Sequence, residues 1–154
     1  MSNEHTSRCC VGHEYAFDKA WRAFLKRRAG LYEEKILSKD DFKCPHCGEV
    51  KVDKGFLKKI NKLLDKVDIA LDKSKCSTYR CETYNAAKGG ARHSAHIYGK
   101  AIDIPVKSAR KKRKLMDTAV DLVFQGIGVY NGHIHIDDRK RWHNTPVVWS
   151  GSSS

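Results

Sequence analysis

The chain has 154 residues, 40% of them apolar and 31% charged, with a formal net charge of +12. That length and balance fit one domain around one hydrophobic core, and exclude a disordered chain. No apolar run approaches the roughly 20 residues of a membrane span, so the excess positive charge points to an anionic partner: nucleic acid, anionic lipid or an acidic cell-wall polymer.

Residues 1–13 are polar and without period, which predicts a flexible N-terminal arm. The opening MSNEHTSRCCVGHEYAF lacks the apolar core of an export signal, so the expectation is a chain made and folded in the cytoplasm. Phe17, Ala20, Trp21, Phe24 and Leu25 recur at helical spacing and predict a helix over 14–29, stopped by Gly30. Six cysteines without an export signal read as free thiols rather than a disulfide framework.

Cys44-Pro45-His46-Cys47-Gly48 is a tight turn and half of a zinc knuckle. A second, structural zinc at Cys44 and Cys47 would need two further donors, with Cys76, Cys81 and His46 as candidates. From Asp53 to Leu71 the residues Phe56, Leu57, Ile60, Leu63, Leu64, Val67, Ala70 and Leu71 form one broad apolar helix face, and the lysines form a solvated one. Cys76 to Arg80 is short and β-prone, and a Gly-rich segment follows around Gly89-Gly90. Lys100 to Val106 reads as a strand, and Ser108 to Phe124 as a helix opened by the basic block Arg110 to Lys114. Such a block can bind nucleic acid, but a solvated helix start is the preferred reading. Gly126 to Tyr130 and His133 to Asp137 read as two short strands, and residues 145–154 should fray. One domain over 14–145 results, followed by a 146–154 tail.

Alternate residues of a strand share a face. His133, His135 and Asp137 therefore point one way and Ile134 and Ile136 the other; Asp103 likewise opposes Ile102 and Ile104. If these strands pair, an Asp and a His meet on a polar face above an apolar layer. His96 sits just before Gly99, on the loop entering the first of them. Burying His133, His135 and Asp137 unpaired on one strand face would be costly, which points to a metal site, and the reading is that His96, Asp103 and His135 hold one metal ion, zinc. Three ligands leave one tetrahedral position open, as in a catalytic site.

The same residues carry a resemblance. Ser77-Thr78-Tyr79-Arg80-Cys81-Glu82-Thr83-Tyr84-Asn85, Gly89-Gly90-Ala91 and Ser94-Ala95-His96-Ile97-Tyr98-Gly99-Lys100-Ala101-Ile102-Asp103 resemble the "SGYR…YN…GGA…S.H..G.A.D" signature of the zinc D-Ala-D-Ala carboxypeptidase family, which includes phage and bacterial peptidoglycan endopeptidases. Gly126-Ile127-Gly128-Val129-Tyr130, His135-Ile136-Asp137 and Arg139 to Trp142 resemble the end of that signature in its small single-domain branch. The resemblance implies an α+β fold: a small antiparallel sheet packed with about three helices, with zinc in a surface cleft. It assigns zinc to His96, Asp103 and His135. It implies that Arg80 steadies a substrate carbonyl or carboxylate, with Tyr79 beside it and Ser94 positioning substrate or a ligand. Many members carry an acidic base three residues before the last zinc histidine; here that residue is Gly132. Asp137, the preferred candidate, or His133 must then take the proton, and Asp137 could instead orient a ligand.

The activity so implied is zinc-dependent cleavage of a peptide bond in peptidoglycan stem peptides, by a monomer drawn to anionic wall polymers by its charge. An endolysin held in the cytoplasm of the producing cell, or a virion-associated wall hydrolase, would need no export signal. The alternatives are a basic nucleic-acid-binding module with a Cys44/Cys47 knuckle, the less favoured partner class, and a non-catalytic wall binder on the same scaffold.

Overall fold

The computed structural model describes residues 37–67, 69, 71–140 and 146–151. All of them belong to one unit of the chain, Lys35–Ser154. The expected N-terminal arm and the helix over 14–29 lie outside the described residues.

Among the described residues three α-helices and four strands make an α+β fold. Helix α1 spans Lys54–Val67. It starts where the Asp53 carboxylate accepts from the Phe56 N–H at 2.9 Å, satisfying one of the orphan donors of a helix start. Its apolar positions Phe56, Ile60, Leu63, Leu64 and Val67 are all buried. The helix ends four residues before the expected Leu71, yet Ile69 is still buried and Leu71 packs against the core. Helix α2, Glu82–Ala87, follows the β-prone stretch and was not expected from its sequence; helix α3 is Ala109–Asp121, capped by the Ser108 hydroxyl.

The strands are β1 Ala101–Pro105, β2 Gly126–Tyr130, β3 His133–Asp137 and β4 Val147–Gly151, in the order β1-β3-β2-β4. β3 pairs antiparallel with both β1 and β2. On one face Ile102, Ile104, Ile127, Ile134 and Ile136 are fully buried and meet α1 and α3. Phe56 links the layers, edge-on to Phe42 at 6.0 Å and to Phe124 at 6.1 Å. The other face holds the polar side chains.

Two expectations are corrected here. The tail does not fray throughout: Val147–Gly151 forms β4, because the outer edge of β2 offers unpaired backbone groups to a β-prone Val-Val-Trp segment. β4 also runs parallel to β2, so the sheet is mixed rather than wholly antiparallel. At the opposite edge, Ser77 exchanges two backbone hydrogen bonds with Asp103 of β1, at 3.1 and 2.8 Å.

Candidate metal centre and its pocket

The register places Asp103 directly opposite His135. Asp103 Oδ1 lies 2.7 Å from His135 Nδ1 and 3.2 Å from His96 Nε2, and the two histidine nitrogens are 3.3 Å apart. One donor atom from each of the three therefore falls within 4.8 Å of the others.

Each side chain is aimed by the chain around it. His96 sits in a 3-10 turn, Ala95–Tyr98, where its own backbone N–H meets the Ser94 hydroxyl. Gly99 closes the turn at φ +62°, against the Lys51 backbone, where a Cβ would collide. His96 Nδ1 faces the Thr78 carbonyl. A carbonyl only accepts, so Nδ1 carries the proton and Nε2 presents its lone pair to Asp103 and His135. Burial holds His96 below its ordinary pKa against the pull of Asp103, which favours that neutral form.

His135 is fixed from behind. Asp137 Oδ2 accepts from His135 Nε2 at 3.0 Å, leaving Nδ1 to face the other two donors. Asp137 is 0% exposed, and its remaining capacity is taken by the Arg139 backbone N–H at 3.2 Å and guanidinium at 3.0 and 2.6 Å. Burial pushes its carboxyl up, but the bonds from His135 and Arg139 outweigh this and hold it at about 2. Asp103 is also held well below the usual carboxylate range: burial opposes ionisation, and the hydrogen bonds of His135 and His96 overcome it. Its second oxygen accepts from Arg80 Nη2 at 2.7 Å. Burial lowers the His135 pKa, but the hydrogen bonds of Asp103 and Asp137 outweigh it and raise it. This donor set of two imidazoles and one ionised carboxylate, each tied at its far side, fits a three-ligand zinc site, to which His135 would bind in its neutral form.

The three residues open into a pocket of about 590 Å³, also lined by Arg80, Ser94, Tyr130, His133, Arg139 and Trp149. His133 stacks on Tyr130 at 4.5 Å, and burial lowers its pKa. The buried Arg80 Nε has no hydrogen-bond partner among the described residues. Two predicted site residues sit elsewhere. Tyr79 is 4% exposed and packs in the core, its hydroxyl on Glu49 at 2.7 Å, because successive side chains along the segment diverge, so that Arg80 reaches the pocket and Tyr79 does not. Asp137, expected either to take the proton or to orient a ligand, lies behind His135 and outside the pocket lining, in the orienting position. Gly126 closes off that side, since any Cβ there would overlap the carboxylate.

Sequence reasoning missed Trp149, whose Nε1–H donates to the Tyr130 hydroxyl at 3.0 Å and whose ring lies 5.7 Å from His135. It also missed Arg139 as the partner of Asp137 and the Thr78 carbonyl as the anchor of His96. Arg139 was findable, two residues beyond Asp137 in a strand-end position; the Thr78 carbonyl carries no side-chain signal.

A family model described as Peptidase M15 matches residues 33–137, about two thirds of the chain. No curated protein and no solved structure matches it significantly.

Proposed function

The chain belongs to the Peptidase M15 family, a family of zinc metallopeptidases, and from that premise we propose that it cleaves a peptide bond in peptidoglycan stem peptides in the manner of an endolysin. The observation that carries this is the convergence of His96 Nε2, Asp103 Oδ1 and His135 Nδ1 at the floor of the pocket. These three would hold the zinc, which when bound supplies Lewis acidity toward a carbonyl and toward water.

The other groups have separable tasks. Arg80 orients Asp103 through Nη2 and keeps a guanidinium on the pocket wall, where it can meet a substrate carboxylate or a developing oxyanion. Asp137 positions His135 and moves no proton, since it is sealed from the pocket. His133 lines the pocket on the same strand face as His135 and is the group suited to accept the proton. Ser94 sets the turn that aims His96. Trp149 and Tyr130 form an apolar wall for the substrate.

The +12 charge supports attraction to the phosphates and carboxylates of a bacterial wall. Storage in the producing cell's cytoplasm before release, or carriage on a virion, are both consistent with this role. The test is clearance of purified cell walls, followed by mass spectrometry of the released peptides. Wild type should clear walls and stop on chelation; His96→Ala and Asp103→Ala should be inactive. Clearance that survives chelation and His96→Ala sinks the proposal. Intact walls that nonetheless retain the protein would instead favour a non-catalytic binder.

A further inference from the structure

A second cluster lies apart from the pocket floor. Cys44, Cys47 and Cys81 bring their sulfurs within 4.8 Å of one another. His46 Nδ1 lies 3.4 Å from Cys81 Sγ. We infer that Cys44, Cys47, Cys81 and His46 form a second, structural zinc site.

The local chain is built for it. Pro45 to Gly48 reverses direction: the Gly48 N–H donates to the Cys44 carbonyl at 2.9 Å, and the Cys44 N–H donates to the Glu49 carbonyl at 2.8 Å. Gly48 takes φ +76°, a conformation that favours glycine. The turn thus presents Cys44 and Cys47 together, which is half of a tetrahedral thiolate site. Cys81 arrives from 37 positions along the chain, and its backbone N–H donates to Cys44 Sγ at 3.4 Å. N–H groups directed at a sulfur favour the thiolate, the form a metal needs. The His46 ring stacks on Tyr84 of α2 at 6.2 Å and 12°, which keeps Nδ1 on the Cys81 side. Cys76, the other candidate donor, is excluded: its thiol is on the Asp72 carbonyl at 3.4 Å. Three sulfurs and one nitrogen make a closed set with no position for water, which marks a structural rather than a catalytic metal.

The position gives the site a task. Cys81 directly follows Arg80 and precedes α2. A metal there would tie the turn at 44–48 to the backbone that carries Arg80, and so hold the guanidinium against Asp103. The inference stands apart from the proposed peptidase activity, because its readout is metal content.

The experiment uses full-length protein with Cys9→Ser and Cys10→Ser, produced with zinc under reducing conditions. Adding His96→Ala and His135→Ala empties the first site and leaves the second untouched. That variant should retain one zinc per chain, and cobalt substitution should give thiolate-to-metal charge-transfer absorption. Adding Cys44→Ser and Cys47→Ser should abolish both signals, and His46→Ala should weaken zinc binding at least tenfold. Should the cysteine variant fail to fold, the histidine variant still decides the matter. Zinc-free protein there, cobalt spectra without thiolate bands, or a Cys44–Cys47 disulfide in the peptide map would overturn the site. Unchanged affinity in His46→Ala would remove His46 from it.

Discussion

Asp137 and Gly126 face each other across β3 and β2, and neither can change alone. Gly126→Ala forces the carboxylate off His135 Nε2, so zinc affinity and wall-clearing activity should fall about 10–100-fold, the usual cost of losing a ligand's supporting partner. Titration of bound zinc against a chelator checks this. Asp137 also sets an acid limit. Its pKa is lowered on folding from 3.8 to about 2, so its ionised form stabilises the fold above pH 3.8, and that stabilisation fades as pH falls toward 2. At about 1.4 kcal/mol per unit, the Asp137 share of the acid loss in metal-free protein is about 2 kcal/mol over that window, so Asp137→Asn should show a flatter acid limb than wild type in urea melts. His133 offers a rescue test. His133→Ala should cost about 10²–10⁴-fold in kcat. A Cβ at Gly132 meets no atom within 4 Å, so Gly132→Glu should be tolerated and restore part of the lost rate. Full activity in His133→Ala would remove it as the proton acceptor.

At the scale of elements, the alternation of isoleucines with Asp103, His133, His135 and Asp137 makes β1 and β3 legible in the sequence itself. Period two on both strands, with one apolar face each, leaves only registers that keep the polar groups together. The segment after Asp137 is not legible in the same way, because its β-prone Val-Val-Trp composition becomes a strand only where a neighbouring edge is open. The places of Tyr79 and Asp137 are not legible for a related reason: which nitrogen of His135 a carboxylate reaches, and which way a side chain leaves an extended segment, are set by long-range packing. β4 is itself testable. Trp149→Ala should leave the melting temperature within a few degrees, since Trp149 is only half-buried, while raising KM for stem peptides more than it lowers kcat. An unchanged KM would take Trp149 out of the substrate wall. α1 behaves oppositely: Leu63→Ala should cost about 2–5 kcal/mol of stability, measured by denaturant melts.

Across the whole molecule the net charge of +12 should govern encounter more than chemistry. Raising salt from about 0.1 M to 1 M shortens the screening length from about 10 Å to 3 Å. Wall association should weaken steeply over that range, while turnover of a short soluble stem peptide changes little. Equal salt sensitivity of both would separate the charge from wall attraction. Among the described residues no helix is long and apolar enough to cross a membrane.

The two backbone bonds between Ser77 and Asp103 have a consequence for how a peptide can lie in the pocket. Many peptide-binding proteins seize an extended ligand by adding it as one more strand to a sheet edge. On β1 that docking rail is already occupied at the level of Asp103. A ligand must therefore be gripped by its side chains and ends, lying over the sheet face rather than zipped to its border. Methylating the backbone nitrogens of a bound peptide should therefore cost little affinity, read as an unchanged KM.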